Sequence, residues 1–484
     1  MRKMPGLTFW TMVAAAAVMV YVLFVKPIVG IADNGDFLRI MTSAGLDYLD
    51  PNLSYEDKYF GNFIREFKMI PLGIGGYAST QVPLVIIATW LNKLTHSRDV
   101  FDMRYMAVVY GIMLLAAFWV ASRYHRSLPL AGRIALAILL VVVFADVGYT
   151  GYFNSLFGEP VSFVFLLLTV AFALAAATRE EPSRKLLIAF FVCAIFLTGS
   201  KVQNAPVGIL IALLGLRFLG LRWDTAWRRT VIGFSAFLAL GSLAMYVFAP
   251  KQLKEINMYQ TVFYGVIKDS PTPEKDLEEL GVSKELAILA GTNFFTPDTP
   301  IPQRDPRMYE SFYDHMSHGK IALFYLKHPV RLIHKLEIAA QNGMTIRPYY
   351  LGTYEKSEGM SRGAVSEKFG LWSEWKRSLL PNSLWFLLPF YLVYYAVLWL
   401  EWRYAASLGG RIYTETFALI GLIGLVSFLI PVIGDGEADL SKHLFLFNVC
   451  FDLMFVASLI WIVAKVALLF GARRPTYVRY DGRW

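Results

Sequence analysis

Long apolar runs separated by shorter polar segments dominate the chain. A membrane-spanning helix needs about 20 predominantly apolar residues, and soluble domains do not repeat runs of that length. The pattern therefore predicts an all-α polytopic membrane protein built as a bundle of about ten transmembrane helices. The predicted spans are 7–29, 103–122, 131–149, 160–178, 185–199, 205–221, 229–249, 383–401, 411–432 and 443–468.

One further apolar run, at 79–94, is too short for a span. It has about 16 residues and includes a proline and a lysine. We expect an interfacial or re-entrant helix there. The mixed segment before it, 41–78, combines aromatic and charged residues and predicts short amphipathic helices on the membrane surface.

Composition supports a membrane protein and excludes other classes. Hydrophobic residues make up 56% of the chain, above the roughly 45–50% of soluble domains. The net charge of +9 suits cytoplasmic loops and anionic lipid, so nucleic acid binding is a poor explanation. Cys193 and Cys450 both fall inside apolar runs, so the sequence implies no disulfide framework.

The distribution of basic residues predicts which loops face the cytoplasm. With ten spans, basic clusters such as 217–229 and 473–483 lie on one side. The three short turns on the other side, near 150–159, 200–204 and 433–442, hold only Lys201 and Lys442. Lysine and arginine favour the cytoplasmic side. We therefore predict a cell membrane protein with both termini in the cytoplasm.

The same pattern divides the chain into three parts. Residues 1–249 form an N-terminal transmembrane core with a first outer loop at 30–102, and 250–382 form an extracytoplasmic insertion with amphipathic helices. Residues 383–484 supply the last transmembrane helices and a cytoplasmic tail. The basic N-terminus resembles a signal peptide, but the long apolar run and the lack of a convincing cleavage site favour a retained helix.

The first polar cluster follows the first apolar helix. Asp33, Asp36 and Arg39 lie within a few residues of the predicted membrane surface. A carboxylate next to hydrocarbon is expensive unless it lines a polar cavity, which makes this stretch the first candidate for chemistry. The alternative is a glycine-containing turn at the membrane boundary, where Asp and Asn are common.

Two more clusters fall on the same predicted face. Asn154 and Glu159 precede one helix, although an acid followed by proline is also an ordinary helix start. Lys201, Gln203 and Asn204 stand between two apolar helices. A lysine there can snorkel to the interface, but a fixed cation beside two amides also suits a phosphate or pyrophosphate.

The last cluster begins at Gly434. Its acids, Asp435, Glu437 and Asp439, alternate and could hold a divalent cation or form a solvated turn. Lys442 and His443 follow where the next helix enters the bilayer, and could contact a lipid phosphate.

The insertion offers weaker signals. His315 and His318 lack a third metal ligand, and 324–341 predicts an amphipathic helix attached to lipid. No motif for nucleotide chemistry is present in the sequence.

The sequences A-D-N-G-D-F-L-R, Y-F-N-S-L-F-G-E-P, S-K-V-Q-N and G-E-A-D-L-S-K-H-L-F-L-F-N occur in this order. Together with the acidic motif after the first helix and the short re-entrant helix, they resemble the GT-C superfamily of polytopic glycosyltransferases. They are most similar to the WsfD-type hexose transferases of bacterial surface-glycan biosynthesis.

The resemblance implies transfer of a hexose, with inversion, from a polyprenyl-phosphate donor to a glycan or lipid acceptor on the extracytoplasmic face. It implies an essential aspartate in the first outer loop, and Asp33 and Asp36 both fit that position. The candidate substrate-binding residues are Arg39, Asn154, Glu159, Lys201, Gln203, Asn204, Glu437, Asp439, Lys442 and His443. A flippase or transporter of lipid-linked glycans, or a non-catalytic membrane receptor, are the alternatives.

Overall fold

The computed structural model describes residues 6–75, 78–124 and 128–470. The first five residues and the predicted cytoplasmic tail after 470 lie outside this part. The first eleven helices are α1 (Leu7–Leu23), α2 (Leu38–Ala44), α3 (Tyr55–Lys58), α4 (Gln81–Thr95), α5 (Arg104–Tyr124), α6 (Leu130–Phe144), α7 (Val147–Thr150), α8 (Glu159–Ala177), α9 (Arg184–Thr198), α10 (Ala205–Arg217) and α11 (Thr225–Val247). The others are α12 (Lys251–Thr261), α13 (Pro273–Leu280), α14 (Pro306–Met308), α15 (His318–Lys327), α16 (Pro329–Gln341), α17 (Leu371–Leu379), α18 (Leu384–Arg403), α19 (Leu408–Gly434), α20 (Leu440–His443) and α21 (Phe445–Leu469).

The described part forms a helical membrane bundle, as predicted, but fewer than ten of its helices reach the length of a span. Seven helices are long and apolar enough to cross a membrane, or eight if the pair bent by 47° at α6 is one span. The difference comes from α1, with 17 residues, and α9, with 15. The apolar run at 7–29 leaves the helix after Leu23, before Lys26 and Pro27, because proline cannot continue the helical hydrogen bonds. The predicted short helix at 79–94 is α4, which is also below span length.

The bundle is centred on α8. Over its most apolar 18 residues, 94% of α8 is buried inside the protein. The helix packs there against α5, α9 and α19. A helix that is apolar on every side must be covered on every side. Its first residue, Glu159, is thereby carried into the interior and is 1% exposed.

The first outer loop contains a small sheet, so the prediction of only amphipathic helices at 41–78 is wrong. Strands β1 (Leu46–Tyr48), β2 (Glu66–Met69) and β3 (Val100–Asp102) pair antiparallel in that order. Leu46 and Tyr48 point inward while Asp47 points outward, which is the period-two pattern of a strand. The sheet buries Tyr48 beside Phe67 and packs Phe67 against Phe37, directly below the Asp33 turn.

The insertion at 250–382 has its own hydrophobic cluster, which includes Tyr259, Phe263 and Phe312. The predicted single helix at 324–341 is two helices, because Pro329 lacks a backbone N–H and starts α16 after a break at His328. Lipid attachment was predicted for this segment, but Lys335 in it contacts two carboxylates of the protein, Asp269 and Glu437. The boundaries of the three parts stay predictions.

A buried ion pair fastens the end of this insertion to the bundle. Lys376 of α17 lies 2.6 Å from the Asp452 carboxylate of α21, and both side chains are fully buried. The second oxygen of Asp452 accepts from the Tyr149 hydroxyl at 2.5 Å and from the Trp372 indole at 2.7 Å. Both carboxylate oxygens of Asp452 therefore have polar partners, as a charge inside a membrane bundle requires.

Candidate functional site

The turn at 33–37 is built around the side chain of Asp33. One of its oxygens accepts from the backbone N–H groups of Gly35 at 2.8 Å and Phe37 at 3.1 Å. The other accepts from the Tyr48 hydroxyl at 2.9 Å, and the residue is 2% exposed. Gly35 has φ +100°, a conformation that favours glycine. The local sequence Asp-Asn-Gly therefore fixes this carboxylate at the start of α2.

Burial raises the pKa of Asp33 to about 6, because the ionised carboxylate loses solvation. Hydrogen bonds from Phe37, Tyr48 and Gly35 lower the pKa but do not cancel the effect of burial, and the charge of Asp36 adds to the rise. The carboxyl group of Asp33 consequently changes charge close to neutral pH.

Asp36 has the opposite environment. Its carboxylate contacts the Arg39 guanidinium at 2.7 Å and forms a short contact with the Lys442 ammonium. Burial raises the pKa of Asp36, but the positive charges of Arg39, Lys442 and Lys201 outweigh that effect and hold it well below its usual range. Asp36 is therefore ionised wherever its cations stay in place.

Lys442 lies at the centre of the cluster and is 1% exposed. Its ammonium donates to the Asn34 side-chain oxygen at 3.1 Å and lies 4.5 Å from the centre of the Phe157 ring. Asn34 in turn donates to Asp439 at 3.0 Å. The first outer loop and the segment before α21 are thus joined by direct polar contacts.

Asp439 and Tyr350 complete this side of the cluster. Asp439 has φ 52°, an uncommon conformation for a residue with a side chain, and its carboxylate accepts from the Tyr350 hydroxyl in a short hydrogen bond. Tyr350 belongs to the insertion, and no pattern in the sequence pointed to it. The sequence does not single out Tyr48 either, although the alternation from Leu46 to Tyr48 is a strand signal.

Glu159 and Lys201 form a second, adjoining ion pair. Their side chains lie 2.6 Å apart, and they are 2% and 11% exposed. The other Glu159 oxygen is buried and has no hydrogen-bond partner among the described residues. Gly158 permits the approach, since a Cβ there would lie 2.9 Å from Lys201 Cγ and 3.2 Å from the Ser200 carbonyl oxygen. The Lys201 charge acts on Asp36, which links the two pairs.

Two of the predicted substrate-binding residues form hydrogen bonds within the protein. The Asn154 amide donates to the carbonyl oxygens of Leu23 and Val29, at 3.2 and 2.8 Å. The Asn204 amide donates to the hydroxyls of Ser162 and Ser200. These contacts give both amides a role in joining helices, and the contribution of either one to substrate binding stays a prediction.

His443 and Gln203 form a chain beside the main cluster. Gln203 contacts the His443 ring at 3.1 Å, and the other ring nitrogen lies 2.8 Å from Asp435. Glu437 instead binds Lys268 and Lys335 of the insertion, at 2.5 Å each.

The three alternating acids therefore diverge, because Asp435, Glu437 and Asp439 each face different partners. Within the described ranges, no group of three or more His, Cys, Asp or Glu side chains could hold a metal ion. The divalent cation considered for this segment has no converging ligands there.

Comparison with known proteins identifies the family. A family model described as the YfdI N-terminal transmembrane domain matches residues 3–477, nearly the whole chain. A search of curated proteins found no match. The match agrees with the multi-pass helical bundle and with a membrane protein of the glycosyltransferase-like type. The chain therefore belongs to the YfdI N-terminal transmembrane domain family.

Proposed function

We propose that this protein is a membrane glycosyltransferase of the GT-C kind, which moves a hexose from a polyprenyl-phosphate donor to a glycan or lipid acceptor. The observation that carries the proposal is the meeting of Asp33, Asp36, Arg39, Lys201 and Lys442 at the ends of membrane helices. It supplies two carboxylates that can accept a proton and three cations that can bind the phosphate of a lipid-linked donor.

Asp33 is our first candidate for the general base. An acceptor hydroxyl must lose a proton as it attacks the anomeric carbon, and a base works best when its pKa lies near the operating pH. The pKa of Asp33 is raised to about 6 by burial, which suits this task. The oxygen that accepts only from Tyr48 is the atom available for the acceptor proton.

Asp36 is the second candidate for the general base. Its partners Arg39 and Lys442 are the cations best placed for a donor phosphate. A phosphate that takes over these contacts would release the Asp36 carboxylate, and the pKa would return toward its usual range. Donor binding would then prepare a base, so both aspartates remain candidates.

The leaving phosphate gains negative charge during transfer. Lys442, Arg39 and Lys201 would stabilise that charge through charge-assisted hydrogen bonds. The bond between the anomeric carbon and the phosphate oxygen breaks as the acceptor oxygen attacks from the opposite side. The configuration at the anomeric carbon therefore inverts in a single displacement. The proton of the acceptor passes to the aspartate base.

Transfer of radiolabelled sugar from polyprenyl-phosphate donors in membranes carrying the protein tests this function. We expect Asp33→Asn and Asp36→Asn each to slow transfer, and at least one to reduce it by ~10²–10⁴-fold while donor binding persists. We expect Asp33→Asn to be the variant with this larger loss of transfer. Asp47→Asn is the matched control, because Asp47 lies in the same loop and points to solvent. Transfer at the wild-type rate in both Asp33→Asn and Asp36→Asn would show that the turn at 33–37 has only a structural role.

A further inference from the structure

A groove runs between α9 and α11 on the outside of the bundle. It has a volume of about 710 Å³ and an almost entirely apolar wall. Ligand pockets of drug size typically have volumes of about 300–1,000 Å³, so a hydrocarbon chain can fit. The lining residues are Val192, Ile195, Phe196, Arg229, Thr230, Gly233, Phe234 and Phe237.

The groove is open because of a glycine and is kept in shape by stacked rings. A Cβ added at Gly233 would meet nothing within 4 Å. Phe234 stacks on Phe191 with ring centres 5.4 Å apart, and Phe196 stacks on Phe165 at 4.6 Å. Both walls are therefore held by contacts inside the bundle, and the groove exists before anything enters it.

Arg229 gives one end of the groove a positive charge. The neighbouring basic residues are engaged, since Arg222 pairs with Asp224 at 2.8 Å and Arg228 lies over the Trp223 ring. Among the described residues, no carboxylate lies within 4.0 Å of Arg229.

Arg229 lies at the membrane face opposite the aspartate cluster. Lys201 follows the end of α9, and the stretch Val202–Leu221 is long enough to cross the membrane before α11 begins at Thr225. Beside the groove, α9 has only 15 residues, a length of roughly 22 Å against about 30 Å of hydrocarbon. Lipid next to α9 must therefore adapt to a short helix.

From these features we propose that the groove binds one anionic phospholipid, whose acyl chain lies along Gly233 and whose phosphate contacts Arg229. This site is separate from the sugar chemistry, and the lipid comes from the leaflet opposite the aspartate cluster. The unpaired guanidinium selects a negative headgroup over a zwitterionic one.

Native mass spectrometry of the purified, delipidated full chain tests this proposal. The probes are phosphatidylglycerol and phosphatidylcholine with identical chains, and polyprenyl phosphate. We expect the wild type to retain one phosphatidylglycerol about fivefold more strongly than phosphatidylcholine. Arg229→Gln should remove that preference, and Gly233→Leu should reduce retention of both phospholipids by filling the groove.

Two matched variants control the measurement. Arg228→Gln removes a neighbouring charge outside the groove, and Gly241→Leu adds the same side chain at another open position of α11. Both should bind like the wild type. Equal retention of the two phospholipids by the wild type, an unchanged preference in Arg229→Gln, or retention of polyprenyl phosphate alone would each overturn the proposal. Arg229 is exposed, so its variant is expected to fold normally.

Discussion

Two carboxyl groups three residues apart have opposite electrostatic environments. Asp33 is buried and has its pKa raised to about 6, whereas Asp36 is surrounded by cations and has its pKa lowered. A split of this kind is how one site keeps two acids in different protonation states. Near neutral pH, Asp36 is ionised and Asp33 is poised to take up a proton.

Tyr48→Phe tests the role of Asp33 without removing its carboxylate. The Tyr48 hydrogen bond favours the ionised form, so its loss should raise the pKa of Asp33. Transfer needs the ionised base, so the rate should rise with pH through about 6 in the wild type and at higher pH in the variant. Below pH 6 we expect transfer to be slower by ~10-fold or more, because the lost hydrogen bond is to an ionised carboxylate and such bonds contribute about 1.5–3 kcal/mol.

The pH profile of kcat/KM measures this shift. Tyr55→Phe is the control, since Tyr55 lies in the same loop and its side chain is largely exposed. Identical acid limbs in the wild type and Tyr48→Phe would show that Asp33 does not control the rate.

Lys201→Ala and Lys442→Ala test the phosphate contacts. A hydrogen bond to a charged group contributes about 1.5–3 kcal/mol, so apparent donor affinity should fall ~10–100-fold in each variant. Lys68→Ala removes an exposed lysine of β2 and should leave donor affinity unchanged. Unaltered donor KM in both site variants, with the protein present in the membrane, would remove these lysines from the donor site.

At the scale of elements, the start of α8 depends on a glycine. Gly158→Ala would place a methyl group 2.9 Å from Lys201 Cγ and 3.2 Å from a backbone oxygen, neither of which can move freely. We expect ~1–3 kcal/mol of destabilisation, together with weaker donor binding as Lys201 shifts. Thermal unfolding in detergent measures the first effect.

Gly241→Ala is the matched variant for that measurement, because an added Cβ there meets nothing within 4 Å. If Gly158→Ala melts at the same temperature as the wild type and binds donor equally well, the close approach of α8 to Lys201 has no functional weight.

The sequence predicted most long helices and singled out several residues of the polar cluster, but it did not predict the short elements. Helices such as α8 and α21 repeat an apolar signal over many residues, whereas β1 to β3 are three or four residues long and depend on distant partners. Tyr350 reaches Asp439 across 89 residues of chain. Such contacts are set by tertiary packing, which local patterns do not encode.

At the scale of the whole molecule, the distribution of basic residues predicts both termini in the cytoplasm. Cysteine labelling tests this directly, because the native Cys193 and Cys450 are buried and give little background. We expect Ser97→Cys to react with an impermeant thiol reagent added to intact cells. Ser407→Cys should react only after the membrane is permeabilised, although Ser407 is exposed at the start of α19. Labelling of Ser407→Cys in intact cells would reverse the topology.

The membrane class followed from composition, but the lengths of the individual helices did not. Apolar residues at 24–29 continue the hydrophobic run without continuing α1, and the run of α9 ends after 15 residues. Hydropathy reports where a chain prefers hydrocarbon, whereas the helix end is set by proline, glycine and the backbone bonds that the surroundings provide.

The ion pair between Lys376 and Asp452 bears on how the protein is made. The chain is synthesised from its N-terminus, so Lys376 is made 76 residues before its partner. Until α21 enters the membrane, α17 has an ammonium group with no carboxylate to bury it against, and such a charge keeps a segment out of hydrocarbon. A chain that stops before α21 would therefore expose an unburied amphipathic helix, a feature that membrane quality control can use to separate unfinished copies from complete ones.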